Sequence, residues 1–303
     1  MPKILNFGSL NLDYVYTVEN FVRPGETILS KDMQVFCGGK GFNQSIALAR
    51  AGADVFHAGF IGRSDGEIFL KTLRENEVNT DLIMKRDNVG GHAVIQINKA
   101  GQNCIILHGG ANQTNTEVFI DYALFKFSEG DYIVLQNEIN LADEIIRKAK
   151  RKGMKVFLNP SPMNDAVKEM PLELVDCFIL NEVEAADICD IFNLDNRLLI
   201  YSLRDRFPSA SILLTLGNKG ASYAGGEHVQ PLFQKSFEVP VVDTTAAGDT
   251  FTGYFLARIA TGAAVEDALK YASAAASLAV SRKGAAASVP TMNETQLFLQ
   301  GRI

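Results

Sequence analysis

The chain has 303 residues and a mass of 33.1 kDa, enough to bury a large core without a disulfide or metal staple. Hydrophobic residues make up 47% and charged residues 21%, a globular balance that argues against long disordered regions. The net charge of −6 argues against a general nucleic-acid binder, so we expect no nucleic-acid partner. No apolar run reaches the roughly 18 residues of a membrane helix, so we expect no membrane partner either.

The cysteines and the first residues bear on the cellular compartment. No two cysteines form a C-x-x-C pair, which predicts reduced thiols rather than a disulfide framework or a zinc site. The chain runs from Met1 directly into a short apolar strand, without a signal-peptide pattern. We therefore expect a cytoplasmic protein. The cysteines are Cys37, Cys104, Cys177 and Cys189.

The hydrophobic pattern alternates between strand and helix from the beginning of the chain. Residues 4–8 predict a short buried strand. Phe42, Ile46 and Ala49 then mark one face of a helix, and residues 55–61 predict the next strand.

The same alternation continues through the second half of the chain. Ser64 and Glu67 have the spacing of a capping box at the start of a helix, and residues 141–153 predict a helix that ends at a glycine. Further short apolar strands are predicted at 133–135, 156–158, 178–180 and 212–214. Apolar strands separated by helices predict an α/β fold with a parallel sheet covered on both faces.

Two regions interrupt this rhythm. Residues 13–36 contain short β-like runs, and residues 92–107 have the pattern of a hairpin. Neither has room for a crossover helix, so we expect the two regions to pair into a small sheet that forms a lid. The prediction is one domain over residues 1–303, with the lid formed by about 12–36 and 92–108.

Polar residues follow several of the predicted strands. Open parallel sheets bind ligands at the carboxyl ends of their strands, and these residues would share that edge. Each instance alone is better explained by loop polarity, but together they favour a site. The residues in question include Asn11, Asp13, Glu138, Asn159, Asn181, Glu184 and Thr215.

A glycine-rich segment at 38–44 (GGKGFNQ) precedes the first predicted helix. Glycines before a helix let a ligand approach the backbone and the N-terminal N–H groups. The segment is neither a Walker A loop nor a dinucleotide fingerprint. By itself it indicates a ligand loop or a tight turn, and it does not decide between them.

The segment 243–251 (DTTAAGDTF) opens another apolar helix. Its small residues leave backbone N–H groups uncovered at the positive end of the helix, which suits charge on a transferring phosphoryl group. Asp249 lies in the first turn, where a carboxylate can accept a proton from an attacking hydroxyl. The alternative is a carboxylate that only stabilises the helix start.

Both segments, in this order and spacing, resemble the PfkB-type, ribokinase-like carbohydrate kinases, and the similarity runs from residues 8–13 to 282–290. The resemblance implies a central, mainly parallel sheet sandwiched by helices, with a small β-sheet lid and homodimerisation through that lid. It also implies ATP and Mg²⁺. The implied reaction is phosphorylation of ribose at its 5-hydroxyl, with deoxyribose, fructose or a nucleoside as alternative substrates. A non-catalytic sugar sensor would have lost Asp249 or Gly248, and both are present.

The resemblance also implies roles for individual residues. Asp249 would be the general base, and the anion hole would be formed by Ala246, Ala247 and Gly248. The implied sugar contacts are Asn11, Asp13, Gly39, Lys40, Asn43, Glu138 and Asp249. The implied nucleotide and Mg²⁺ positions are Asn181, Glu184, Thr215, Gly217, Lys219, Gly220, Gly248 and Ser273.

A monovalent-cation site for K⁺ is implied beside the anion hole. A bound cation would organise the loop and add positive field near the developing charge. The alternative is that residues 282–284 form a solvated charged turn. The implied positions are Asp243, Thr245, Ala279, Arg282, Gly284 and Ser288.

Two positions depart from the family pattern. Phe42 stands where a small residue is common, and either packs in the core or points at the sugar. Ser273 replaces a larger polar residue near the adenine or its ribose, which would weaken adenine contacts. His57 falls in a strand and is predicted to be a packed core histidine.

Overall fold

The computed structural model describes residues 1–191, 196–226, 228 and 230–302. The strands are β1 (Ile4–Phe7), β2 (Asn11–Thr17), β3 (Asp32–Gly38), β4 (Val55–Gly62), β5 (Asn79–Arg86), β6 (Gly91–Ile97), β7 (Asn103–His108), β8 (Tyr132–Gln136), β9 (Lys155–Asn159), β10 (Cys177–Asn181), β11 (Ser211–Thr215), β12 (Ala221–Ala224) and β13 (Leu232–Gln234). The helices are α1 (Lys40–Arg50), α2 (Glu67–Glu75), α3 (Glu117–Phe125), α4 (Ala142–Arg151), α5 (Asp165–Lys168), α6 (Glu182–Cys189), α7 (Asn196–Arg206), α8 (Ala247–Ala260), α9 (Val265–Val280) and α10 (Met292–Leu299).

The large sheet has nine strands in the order β13-β12-β11-β10-β9-β8-β1-β4-β5. Its pairs from β11 to β5 are parallel, whereas β12 and β13 pair antiparallel at one edge. The predicted mainly parallel sheet is therefore confirmed. Sequence analysis missed β5, β12 and β13. Strands β5 and β13 are the two edges of the sheet and are only partly buried. Strand β12 is buried, but it has four residues and includes Ser222, so it shows no continuous apolar run.

Alternate residues of the central strands face opposite layers of helices. In β8, Ile133 and Leu135 pack into one apolar cluster with α3, α4, α6 and α7, whereas Val134 packs into another with α1, α2, α8 and α9. In β1, Leu5 packs into the first of these clusters and Ile4 into the second. Burial on both faces is the reason that these strands are continuously apolar in the sequence. The predicted sandwich of helices around the sheet is confirmed.

A second sheet has four strands in the order β3-β2-β6-β7, and we call it the lid sheet. The pair β2/β3 is antiparallel, β2/β6 is parallel, and β6/β7 is the antiparallel hairpin that the sequence predicted. The lid sheet is built from the two regions that interrupted the βα alternation. The edge strands β3 and β7 are exposed along nearly their whole length.

The predicted capping box at Ser64 is wrong. Helix α2 begins at Glu67 behind Gly66, and no side chain caps it. Residues 62–66 form a turn instead, closed by the hydrogen bond from Gly66 N to Gly62 O (3.0 Å), so Ser64 lies within the turn. Among the described residues, no helix is both long enough and apolar enough to span a membrane.

Candidate active site

A cleft runs along the carboxyl ends of the parallel strands, where such sheets usually bind ligands. Its narrow part, a cavity of about 210 Å³, is lined by Asn159, Asn181 and Thr215, the last residues of β9, β10 and β11. The starts of α1 and α8 close the cavity with Lys40 and Asp249. The structure therefore brings polar strand ends and both glycine-containing segments to one place.

The glycine segment is a close crossing of two chain segments. Gly39 precedes α1 with φ of +91°, a backbone conformation that favours glycine. A Cβ at Gly41 would come within 2.6 Å of the carbonyl carbon of Gly8, and Phe42 N donates to Ser9 O (2.9 Å). The glycines thus let α1 begin directly against the turn after β1, which places Lys40 in the cleft.

Two carboxyl groups lie together on the lid side of the cleft. Glu138 Oε2 accepts hydrogen bonds from the Ser9 hydroxyl and from Lys40 N (2.9 Å). Burial, with a further contribution from Glu138, raises the pKa of Asp13 to about 7, and burial also raises the pKa of Glu138. Burial would lower the pKa of Lys40, but the carboxylates of Asp249, Glu138 and Glu184 together raise it above its usual value. This part of the cleft holds acceptors suited to sugar hydroxyls.

Asp249 lies in the first turn of α8 and is only 6% exposed. Its two carboxylate oxygens have different partners. Asn43 Nδ2 donates to Oδ2 (3.1 Å), and Gln44 Nε2 donates to Oδ1 (2.9 Å). The carboxylate is therefore held by α1 from one side, and its remaining lone pairs stay available for a hydroxyl group in the cleft.

The start of α8 faces the same cavity. Ala246 precedes the helix in the left-handed conformation (φ +58°), and Ala247 N donates to Thr244 O (3.3 Å). A Cβ at Gly248 would meet no atom within 4 Å, so the backbone there is uncovered on the cavity side. The first N–H groups of a helix have no partner within the helix and carry partial positive charge. The turn can therefore bind an anionic group beside Asp249.

A larger cavity of about 690 Å³ continues from this point and shares Asn181, Thr215 and Gly248 with the smaller one. The predicted positions Gly217, Gly220 and Ser273 line it, and most of its remaining wall is the segment 235–241 and one face of α9. The Ser273 hydroxyl is buried and has no hydrogen-bond partner among the described residues. The cavity is large and apolar enough to take a planar ring, and it leads directly to the start of α8.

Comparison with known proteins agrees with this arrangement. The profile of the pfkB family carbohydrate kinases matches residues 1–292. The chain belongs to that family. It is 34% identical over 304 residues to the ribokinase of Haemophilus influenzae, with 97% of each chain covered.

Two solved structures resemble this pfkB family member over nearly the whole chain. One is the Arabidopsis thaliana ribokinase complexed with ribose and ATP, with a TM-score of 0.87, 27% identity and 99% of each chain covered. The other is the Cryptococcus neoformans ribokinase in complex with ADP, with a TM-score of 0.86, 32% identity, and 98% of this chain and 99% of that chain covered. The predicted ribokinase-like fold is confirmed.

The family pattern does not account equally well for every predicted position. Lys219 does not line either cavity and is paired with Glu182 (3.5 Å) at the surface. The Asn181 side chain caps α6 by accepting from Val183 N (2.9 Å) and Glu184 N (3.0 Å). Glu184 completes that capping box and lines the smaller cavity. In this family member the Asn-x-x-Glu pair thus forms the start of a helix as well as one wall of the site.

The positions predicted for a cation lie on two loops that are joined by Asp243. Its Oδ1 accepts from Thr245 N (2.9 Å) and its Oδ2 accepts from Gly284 N (3.0 Å). Those hydrogen bonds lower the pKa of Asp243 although its partial burial opposes the shift. The Arg282 side chain donates to Glu294 Oε1 (2.7 Å), and its backbone N donates to the carbonyl of Ala279 (3.0 Å). Ser288 Oγ donates to the carbonyl of Ala285 (2.7 Å). The loop around Gly284 is therefore tied to Asp243 rather than being only a solvated charged turn.

Phe42 belongs to the core. It is fully buried, and its ring packs edge-on against Phe69 with centroids 5.5 Å apart. Sequence analysis missed the parts played by Ser9 and Gln44, which contact Glu138 and Asp249. The one signal for Gln44 was its place in the glycine segment directly after Asn43, and spacing alone could not show which way it points.

Proposed function

We propose that the chain is an ATP-dependent kinase that phosphorylates D-ribose at O5 to give ribose 5-phosphate. The observation that carries this proposal is the position of Asp249. Its carboxylate lines the smaller cavity together with Lys40 and the uncovered start of α8, and it is held there by Asn43. It also lies close enough to Glu138, on the lid side, to raise the pKa of that carboxyl group. Family membership and the ribokinases among the similar proteins support the same reaction.

The proposed reaction requires one proton transfer and one phosphoryl transfer. Asp249 accepts the proton of the ribose 5-hydroxyl, and the oxygen attacks the γ-phosphorus of ATP. The bond to the bridging oxygen breaks, and ADP leaves. The uncovered N–H group of Gly248 stabilises the charge on the transferring group, and that of Ala247 joins it by exchanging its 3.3 Å hydrogen bond to Thr244 O for the phosphoryl oxygen. Asp13, Glu138 and Asn43 orient the sugar, and the lid sheet excludes water that would otherwise hydrolyse ATP.

Mg²⁺ fits the wall of the smaller cavity, because the Glu184 carboxylate lines that wall and supplies the kind of oxygen ligand that Mg²⁺ prefers. Asn181 would act by holding Glu184, since its Oδ1 already accepts from Val183 N and Glu184 N. When bound, Mg²⁺ would neutralise charge on the phosphates of ATP. The proposed nucleotide contacts are Thr215, Gly217 and Gly220, with Ser273 near the base. Lys219 is not included among them, because its side chain lies outside both cavities and pairs with Glu182.

K⁺ is proposed for the two loops joined by Asp243. Residues 243–245 and 284–288 offer carbonyl groups and one carboxylate close to the start of α8, a donor set that suits a weakly held monovalent ion. A cation there would order the loop that precedes Ala246.

The lid sheet is proposed to form a homodimer interface. The exposed apolar side chains lie on its two edge strands, Met33, Val35, Phe36, Ile105, Ile106 and Leu107. Light scattering tests this assignment, and a monomer at micromolar concentration would contradict it. A cytoplasmic location remains a prediction that cell fractionation can test.

The decisive experiment is ADP release from Mg-ATP in the presence of potassium. It should be measured with ribose, deoxyribose, fructose and a set of nucleosides. We expect kcat/KM for ribose to exceed that for each other acceptor by about tenfold or more, the scale that one lost polar contact supplies. Preferred turnover of another sugar or of a nucleoside would keep the kinase but overturn the substrate. ADP release that none of the acceptors increases would overturn the kinase.

A further inference from the structure

Asp249 is one end of a chain of buried hydrogen bonds. Gln44 Nε2 donates to Asp249 Oδ1 (2.9 Å), and Gln44 Oε1 accepts from Gln136 Nε2 (2.7 Å). Gln136 Nε2 also donates to Asn6 Oδ1 (3.0 Å), and Asn6 Nδ2 donates to Ser45 Oγ (2.8 Å). Gln44, Gln136, Asn6 and Ser45 are at most 1% exposed. The chain thus connects the start of α8 with the interior of the large sheet.

His57 forms the other end of the chain. Its Nδ1 lies 2.8 Å from Ser45 Oγ and its Nε2 lies 3.2 Å from the carbonyl oxygen of Gly8. Complete burial lowers the pKa of His57 to about 4, so the ring is neutral near pH 7. A carbonyl only accepts hydrogen bonds, so Nε2 carries the proton and Nδ1 accepts from the Ser45 hydroxyl.

The two ends determine the direction of every hydrogen bond between them. A carboxylate only accepts, so Gln44 must present its NH₂ group to Asp249 and its oxygen to Gln136. Gln136 must then direct its NH₂ group toward both Gln44 and Asn6. Asn6 accepts from Gln136 and donates to Ser45. Turning any one of the three amides would place two donors or two acceptors face to face.

The arrangement leaves one buried polar atom of Gln136 unsatisfied. Its Oε1 is buried and has no hydrogen-bond partner in the part of the chain that is described, because both N–H bonds are directed to Gln44 and Asn6. An orphaned buried acceptor is unfavourable. Gln44 Nε2 has a second partner, Asn159 Oδ1 (3.1 Å), so the plane of its amide is held by β9 as well. The arrangement thus presents one oriented N–H to Asp249.

We propose that Gln44 is a positioning residue for the reaction. Its amide, aligned by Gln136, Asn6 and the neutral His57, holds the Asp249 carboxylate in the orientation from which it accepts the hydroxyl proton. The inference rests on the proposed function, in which Asp249 is the general base. Without Gln44 the carboxylate keeps, among the described residues, its hydrogen bond to Asn43 alone and can rotate away from the sugar.

The test replaces the Gln44 amide with side chains of similar length. Gln44→Met keeps the shape without polar atoms, and Gln44→Glu keeps an acceptor for Gln136 but has no N–H for Asp249. We expect kcat to fall about 10- to 100-fold in both variants, because a misplaced catalytic group causes a loss of that size. The KM values for ribose and ATP should change less than about twofold. A side chain that only fills space would be replaced by methionine without this loss of kcat.

Asn115→Leu is the matched control. Asn115 is also buried and donates to Asn112 O (3.1 Å) and Asn140 Oδ1 (3.0 Å), but it does not contact the chain from Asp249 to His57. We expect this variant to lose thermal stability while kcat stays within about twofold of wild type. An equal loss of kcat in Asn115→Leu would assign the effect of Gln44 to general destabilisation and overturn the proposal.

Gln136→Met is a second variant in case Gln44 variants do not fold. It frees the Gln44 amide to turn, and we expect a smaller fall in kcat than in Gln44→Met, again at unchanged KM. Wild-type kcat in a folded Gln44 or Gln136 variant would overturn this inference and leave the proposed function intact. A wild-type enzyme without sugar-dependent turnover would instead overturn the proposed function, on which the inference rests.

Discussion

The two sides of Asp249 are built differently. On the sugar side, Asn43 and Gln44 are buried, Glu138 is half-buried, and all three are hydrogen-bonded to other parts of the protein. The buried Asn43 Oδ1 on this side has no partner among the described residues. On the nucleotide side, a cavity of about 690 Å³ is lined largely by apolar groups and backbone, and its buried hydroxyl at Ser273 has no partner among the described residues. One side is organised before the ligand arrives, and the other is an open space.

This difference indicates where specificity and catalysis reside. Polar groups already oriented by the protein lose little freedom when the sugar binds, and they penalise a sugar that leaves one unpaired. An apolar cavity with few oriented polar groups binds a planar base with less discrimination. We therefore expect single substitutions on the sugar side to have larger effects than those on the nucleotide side.

The largest effect is expected for Asp249→Asn. The amide has nearly the same shape but cannot accept the hydroxyl proton, so kcat should fall between about 10² and 10⁴-fold. Ribose binding, measured by calorimetry, should remain detectable because Asn43 and Glu138 are unchanged. Wild-type turnover in this variant would remove Asp249 from the proposed mechanism.

Asp13→Asn should act on the sugar rather than on the chemical step. Loss of a charged acceptor for sugar hydroxyls should raise the KM for ribose about 10- to 100-fold, while kcat changes much less. Steady-state kinetics with varied ribose measures both. If kcat falls and KM does not, Asp13 acts in catalysis instead of binding.

The raised pKa of Asp13 also predicts a dependence on pH. Because its pKa is about 7 in the sugar-free protein, the carboxyl group ionises as pH rises from 6 to 8, and the KM for ribose should fall over that range. The ordinary pKa of an aspartate is 3.8, so folding favours the protonated form of Asp13. Its contribution to the stability of the sugar-free protein is therefore complete below about pH 4 and is lost as pH rises through 7. In Asp13→Asn both trends should be weaker, which thermal unfolding and kinetics at several pH values can measure. Identical profiles in the two proteins would contradict the assignment.

Gly253→Ala should separate the two helices that hold the sugar side together. A Cβ at Gly253 of α8 would come within 2.7 Å of Leu48 N in α1. Overpacking there should lower the free energy of unfolding by about 1–3 kcal/mol and reduce kcat, because Asp249 moves relative to Asn43 and Gln44. The control is Ala264→Gly, which removes one methyl group just before α9, outside the contact between α1 and α8. Gly262→Ala is not suitable as a control, because the positive φ of Gly262 would strain an alanine.

The smallest effect is expected for Ser273→Ala. Its hydroxyl has no partner within the described part of the chain, so its removal should change stability little and alter the KM for ATP by less than about threefold. Kinetics with varied ATP tests this. A tenfold or larger rise would mean that the nucleotide side is as specific as the sugar side, and the contrast between them would be lost.

Sequence reasoning worked where the physical cause is local or repetitive. The central strands were predictable because burial on both faces makes them continuously apolar, and the lid hairpin was predictable from its turn and flanking β-like residues. It failed at β5, β12 and β13, and at Ser64, where position at an edge or a tertiary turn outweighs local preference. The role of Phe42 could not be settled before its contact with Phe69 was known.

The sequence by itself determined the parallel α/β architecture, the family, and the two segments at 38–44 and 243–251 that carry the site, because periodicity and short motifs are local properties of the chain. Only the tertiary structure decided that Gln44 points at Asp249 and that Lys219 lies outside the two cavities. It also decided that Asp13 and Glu138 lie close enough for one to raise the pKa of the other. Those facts depend on burial and on the direction of hydrogen bonds, one of which joins residues 205 positions apart. Neither can be predicted from local sequence patterns, because both depend on which distant residues the fold brings together.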